Sequence, residues 1–331
     1  MAIFRCNKCA HLQEYADNQV GVPLLCPRCS HPGQAYPTLF FVGRLLEKYF
    51  EARRDVIRLT ATTDGQPPGQ TMGASPPLAT NSIDLSNTDR LASEVQHEPI
   101  VDWFRRKQIA VQTNLRGVDT TGFFDEVAMA IGSDLALVKD VLERIRWAQQ
   151  KEYPSTSIPL TNRSAEEVQA ISAFCERLHE FSFLAKYIPD RQKNRLLLVL
   201  QTAPAIRQFF NGEWLEWFAL MTCLQYARER RKSVSCARRL SITLTNNDNH
   251  ELDVFALIDG HLPICIECKA GEFRQDIDKY LTIRKRLGLD GKNFVICVAG
   301  LSDEHAKGLS AMYDLGFVSE RELPAHLARL F

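Results

Sequence analysis

The sequence lacks any run of 18 apolar residues, so no transmembrane helix is expected. It also lacks an excess of either charge. Forty Lys plus Arg balance forty Asp plus Glu, and net charge therefore neither favours nor excludes a polyanionic partner. The first residues are polar and carry cysteine pairs, so no signal peptide is expected. No internal repeat is apparent. The ten cysteines do not read as a disulfide framework. Cys175, Cys223, Cys236, Cys265, Cys268 and Cys297 share no spacing and sit in apolar or mixed surroundings. Reduced core thiols in a cytoplasmic protein fit them better.

What is present suits two or three small domains: 331 residues, 45% of them hydrophobic. Residues 1–35 form a cysteine-paired module, and 36–59 carry an amphipathic helix with Phe40, Leu45, Leu46, Tyr49 and Phe50 near helical period. Residues 60–97 are rich in Thr, Gly, Pro and Ser. They hold too little apolar surface to offset ordering entropy and read as a flexible linker. Residues 98–210 read as mainly helical, and 211–331 as mixed α/β.

Cys6-Asn7-Lys8-Cys9 and Cys26-Pro27-Arg28-Cys29 are two CxxC pairs separated by sixteen residues. Each offers two thiolates, and together they can close a tetrahedron around Zn²⁺. A module this small has almost no core, so the metal would supply its folding energy. It looks like a zinc ribbon, able to bind nucleic acid, to bind a protein partner, or merely to cap a fold.

In the middle region, Ala128, Gly132 and Val138 have helix-turn-helix spacing, with Gly132 at the expected turn. A plain helical hairpin carries the same pattern. Ser164-Ala165-Glu166-Glu167 is a capping-box signal for a helix expected to run to about Tyr187. Arg228, Arg230, Arg231, Lys232, Arg238 and Arg239 crowd one stretch, and Arg284, Lys285 and Arg286 another. Such runs serve solvated faces more often than nucleic-acid contact.

The chemistry concentrates near the C-terminus. Glu267-Cys268-Lys269 ends an apolar strand, and strand alternation places Glu267 and Lys269 on one face. Asp253 opens the preceding apolar strand, where a carboxylate is costly unless paired or bound to a cation. Register decides whether the two carboxylates meet. A two-residue Asp259-Gly260 hairpin would turn Asp253 away from Glu267. A three-residue loop that includes His261, a five-residue loop or one bulge would bring them together. One of the latter is expected. Two carboxylates on one face can hold Mg²⁺ or Mn²⁺ through hard oxygens, with Lys269 beside them to position water or stabilise the transition state. A purely structural ion-pair cluster at the strand ends would use the same residue types. On the helix before these strands, Glu216, Leu220, Cys223 and Ala227 share one face. Glu216 therefore lies on an otherwise inward stripe, whereas Glu213 is expected at the solvent.

The order helix, strand, strand with Asp253, strand with Glu267-x-Lys269, helix, strand resembles the core of the PD-(D/E)XK nuclease superfamily. Gly212-Glu213-Trp214-Leu215-Glu216, Glu251-Leu252-Asp253-Val254 and Ile266-Glu267-Cys268-Lys269-Ala270-Gly271 together resemble the nuclease domain of CRISPR ancillary nucleases activated by cyclic oligoadenylate. That resemblance covers about residues 211–300. It implies Asp253, Glu267 and Glu216 as ligands of Mg²⁺ or Mn²⁺, Lys269 as the catalytic lysine, and Gln275, Lys279 and Tyr280 as candidate substrate contacts. Members of the superfamily often act as homodimers. The sequence departs from the CRISPR-linked members in one respect: residues 98–210 show no alternating strand–helix pattern with a nucleotide loop, so a cyclic-nucleotide sensor is not implied. The expected architecture is thus an N-terminal zinc ribbon, a mainly helical middle domain and a restriction-endonuclease-like α-β-β-β-α-β domain. The expected activity is metal-dependent endonucleolytic cleavage of nucleic acid, DNA before RNA, in defence or repair. The alternative is a nucleic-acid-binding regulator that keeps a degenerate nuclease fold as scaffold.

Overall fold

The computed structural model describes residues 2–6, 11–38, 94–114, 123–244 and 248–331. Cys9, the helix expected over 36–59 apart from its first residues, and the linker up to residue 93 lie outside the described residues. The chain divides into two compact units, Met1–Gly73 and Ala74–Phe331.

In the first unit, β1 (Ala2–Arg5), β2 (Leu12–Tyr15), β3 (Pro23–Leu25) and β4 (Pro32–Pro37) form one antiparallel sheet in the order β2-β1-β4-β3. Its interior is small: Ala2, Phe4, Cys6, Cys26 and Ala35. Two turns are built alike, because Cys6 N–H donates to the His11 carbonyl and Cys26 N–H to the His31 carbonyl, each at 2.9 Å.

The second unit contains helices α1 (Glu94–Arg106), α2 (Phe123–Ser133), α3 (Leu135–Gln150), α4 (Ala165–Glu180), α5 (Pro204–Gln208) and α6 (Trp214–Glu229). It continues with α7 (Ile277–Leu287), α8 (Asp303–Tyr313) and α9 (Leu323–Leu330). Its main sheet runs β13-β12-β11-β10-β9-β5, with β5 (Ala110–Gln112), β9 (Val234–Thr243), β10 (Asn249–Ile258), β11 (Leu262–Lys269), β12 (Phe294–Val298) and β13 (Gly316–Val318). The strands from β5 to β11 pair antiparallel, and β11, β12 and β13 pair parallel. Parallel β11 and β12 need a crossover, and α7 supplies it. Each face of the sheet carries its own core. Val254, Ala256, Ile264 and Ile266 pack with α6 and the elements before it. Phe255, Leu257, Cys265 and Ile296 pack with α1, α7 and α8. The α6 side explains why that helix is apolar nearly all round, with Leu215, Phe218, Leu220 and Leu224 all buried.

The middle of the chain departs from the expected mainly helical reading. β6 (Ser155–Pro159), β7 (Leu184–Asp190) and β8 (Arg195–Leu200) form a second sheet, in the order β6-β8-β7. The capping box forms as expected, with Ser164 Oγ accepting from Glu167 N–H and the Glu167 carboxylate from Ser164 N–H. The helix it opens stops at Glu180, seven residues short of the expected Tyr187. Ser182 takes a left-handed conformation (φ 62°), and its N–H and that of Phe183 donate back to His179 and Leu178. This is a Schellman stop with serine where glycine is usual, which hid it from a glycine-based reading.

The tight α2–α3 junction exists, but Asp134 makes it, capping α3 through Leu137 N–H. Gly132 is not its turn. It lies inside α2, where an added Cβ would sit 2.2 Å from the Phe218 ring, so glycine there lets α2 close onto α6. Residues 94–97, expected as the end of the linker, belong to α1. Among the described residues no helix is long and apolar enough to cross a membrane.

Candidate functional site

The β10–β11 hairpin closes at Ile258 opposite Leu262. Its loop is therefore Asp259-Gly260-His261, three residues long, with Asp259 and Gly260 at positive φ (49° and 72°). Asp259 ties the loop down by accepting from Lys232 Nζ at 2.8 Å and Ser233 N–H at 3.0 Å. The register continues to Val254 opposite Ile266, where the ladder ends, and Asp253 and Glu267 are the next residues on the two strands. The strict two-residue hairpin does not occur.

The two carboxylates have different surroundings. Asp253 Oδ2 accepts the Cys268 N–H at 2.7 Å, across the hairpin. Glu267 sits between β10 and β12, is 2% exposed, and its Oε1 is buried without a hydrogen-bond partner. Burial pushes the carboxyl pKa of both above the usual range, and Asp253 raises Glu267 further. Lys269 lies on the same face as Glu267. Its Nζ is 3.6 Å from Asp276 Oδ2 and 5.6 Å from the centre of the Tyr280 ring. Tyr280 is fully buried in the α7-side core, so it lies within the fold and not at a substrate-facing surface. Gln275, in the turn before α7, and Lys279, in its first turn, are exposed.

Glu216, in the first turn of α6, approaches from the other side of the sheet. The arginine run was expected to be solvated, yet Arg238 is 4% exposed. Its guanidinium lies 3.9 Å above the Trp217 ring and donates to Glu216 Oε2 at 2.5 Å. Glu213 is likewise not a solvent residue; it pairs with Arg239 at 2.8 Å and is largely buried. The backbone explains how two successive arginines reach one helix. Arg239 takes φ 56°, left-handed, inside β9. Val234 and Cys236 pack on the α6 side, but Leu240 and Ile242 pack on the opposite one, so the alternation reverses at this residue. On β10 it reverses at the facing position, because Leu252 and Val254 enter opposite cores across Asp253. Glu216 feels burial first and Asp253 next, both raising its pKa, while Arg238 and Arg239 lower it. The balance leaves it at about 7.

These residues are neighbours but not a closed ligand set. Among the described residues the group whose donor atoms all lie within 4.8 Å of one another is Cys6, Cys26 and Cys29, not the carboxylates. Asp253 and the unpartnered oxygen of Glu267 are hard oxygen donors, while Glu216 is held by Arg238. A basic residue within a strand that alternates Val234-x-Cys236-x-Arg238 is the signal that could have found Arg238. It was masked by the surrounding charge run.

The cysteine group can bind a metal ion such as zinc. Cys6 and Cys29 sulfurs are 3.4 Å apart. That is near the roughly 3.8 Å tetrahedral edge expected for Zn–S bonds of about 2.3 Å, and far from a disulfide bond.

No protein-family profile matches the chain, and no curated protein matches it. Similar solved structures include protein VC1899 from Vibrio cholerae, at 17% identity and TM-score 0.48, aligned over 70% of this chain and 61% of that one. Can2 from Sulfobacillus thermosulfidooxidans, solved in complex with cyclic tetra-adenylate, gives 17% identity and TM-score 0.47 over 70% and 60%. The chain thus spans about three fifths of the length of the solved chains it matches.

Proposed function

We propose that the protein is a divalent-metal-dependent nuclease that hydrolyses phosphodiester bonds, with residues 211–331 as the nuclease domain and DNA as the first substrate class to test. The observations that carry the reading are the three-residue hairpin, which leaves Asp253 and Glu267 as the next residues beyond the β10–β11 ladder, and a buried Glu267 oxygen without a partner. A buried carboxylate oxygen in that state is costly unless a proton or cation meets it.

Asp253 and Glu267 would hold Mg²⁺ or Mn²⁺, with Glu216 as a third carboxylate once released from Arg238. Such an ion, when bound, acidifies water and neutralises charge on the phosphate. Lys269 then orients the attacking water or stabilises the extra negative charge of the transition state. Asp276 and the Tyr280 ring hold that ammonium in place. Gln275 and Lys279, exposed beside it, are proposed backbone contacts. Cys6, Cys9, Cys26 and Cys29 are proposed as a structural zinc site in residues 1–35, available to a nucleic acid or a protein partner.

The test is cleavage of single- and double-stranded DNA and RNA with Mg²⁺ or Mn²⁺. Asp253→Ala and Lys269→Ala should each reduce the rate at least about 100-fold, the usual scale for removing one electrostatic partner of a transition state. Equal cleavage by all three proteins would end the assignment. One observation favours a second reading, a non-catalytic nucleic-acid-binding scaffold: the Arg238 clamp on Glu216. That reading requires binding without cleavage in either metal.

A further inference from the structure

Two large aromatic side chains on the α3–β6 corner are left half in water. Trp147 is 52% exposed and Tyr153 51%, and their ring centroids are 5.3 Å apart. The chain builds this pair deliberately. Glu152 turns through a left-handed φ of 59°, and Tyr153 N–H donates to the Ala148 carbonyl at 2.9 Å, fixing Tyr153 beside the end of α3. Adjacent exposed aromatics forgo a large apolar gain and mark a surface that something else covers.

The surroundings say what kind of partner fits. Arg144, Arg146 and Arg163 join Trp147 around a depression of about 670 Å³. Arg144 is braced by a hydrogen bond to the Ser157 carbonyl. Asp140 and Glu143 also line it, but Asp140 is paired with Arg163 at 2.6 Å and Glu143 lies 3.9 Å from Lys139. Among the described residues Arg144 and Arg146 have no carboxylate partner. Arg146 also lines two further depressions. One contains Arg207, itself fixed to the Gln149 carbonyl at 2.7 Å. The other contains Trp214, Gly300 and Ala270, the residue that follows Lys269. The three depressions therefore share Arg146, with Trp147 in one and Ala270, at the end of β11, in another.

We propose that this surface docks an unpaired stretch of polynucleotide. Its bases stack on Trp147 and Tyr153, and its phosphates follow Arg144, Arg146 and Arg207 toward Lys269. Every base has a flat π face, so such stacking is sequence-tolerant, and the cations supply the salt-dependent part of the affinity. A duplex keeps its bases stacked on one another and gains only the phosphate contacts. The direction of the path rests on the nuclease reading; the binding itself does not.

The experiment uses the full chain carrying Asp253→Ala, without added Mg²⁺ or Mn²⁺. It measures anisotropy of a labelled oligothymidylate of about 20 nucleotides and of a matched duplex. Trp147→Ala together with Tyr153→Ala should weaken single-strand binding about 10- to 100-fold, the scale of one or two lost base stacks, and duplex binding less than about 2-fold. Trp147→Phe should keep most of the affinity, and Arg146→Glu should lower both affinity and its salt dependence. Unchanged single-strand affinity in the double variant overturns the proposal, and so does an equal loss for the duplex. The parent protein's cleavage assay separates the two readings. Cleavage with no effect of the aromatic variants sinks the docking surface alone. Aromatic-dependent binding with no cleavage supports the surface and sinks the nuclease.

Discussion

Raising the pH should destabilise the metal-free protein through its buried carboxylates, and Glu216 allows the size to be worked out. Its pKa is pushed to about 7 from 4.5, first by burial and then by Asp253. Asp253 and Glu267 move the same way, burial being the first cause for each. Between these two values the folded chain holds a proton that the unfolded chain has released. The stabilisation is therefore complete below the unfolded pKa and is lost as pH rises through about 7. The difference between 4.5 and about 7 corresponds to about 3 kcal/mol. At about 2–4 °C per kcal/mol for a unit of this size, Tm should fall by up to about 10 °C between pH 5 and 8. The assay is thermal unfolding across that range without Mg²⁺ or Mn²⁺, for the parent and for Glu216→Gln, which cannot ionise. The two should be close in stability at pH 5, and the variant should gain on the parent as pH rises. Added Mn²⁺ should stabilise the parent more at pH 8 than at pH 5, because the ion needs ionised ligands. Parallel pH slopes for the two proteins would refute the reasoning. They would mean that Arg238 keeps Glu216 charged at every pH tested.

The remaining predictions concern the ribbon and the packing of α2. Purified protein should carry one zinc per chain by elemental analysis, and Cys26→Ser should lose it while leaving the unfolding transition of residues 74–331 in place. Gly132→Ala should destabilise by about 1–3 kcal/mol in urea unfolding, although alanine is the better helix former. The new Cβ meets the buried Phe218 ring at 2.2 Å. A neutral or stabilising result would show that α2 does not press on α6 as described.

The sequence by itself determined the local devices. Asp259-Gly260-His261 is a loop because Asp and Gly accept positive φ. The capping box at Ser164 opens a helix, and apolar runs flanking Asp253 and Glu267 make strands. Cysteine spacing alone brought out the metal group, since two such knuckles have little else to fold around. What only the tertiary structure decided involves distant partners or unusual backbone. Strands β6, β7 and β8 are short and pair with one another, and a left-handed serine ends α4 where no glycine announces it. Arg238 reads as one charge in a basic run until Trp217 and Glu216, some twenty residues earlier in the chain, are seen to bury it. The hairpin register could be stated beforehand only as a choice between loops. Pairing set the loop at three residues, but the two-residue period does not carry through Asp253, where Leu252 and Val254 enter opposite cores, so only the folded backbone decided the surroundings of that carboxylate.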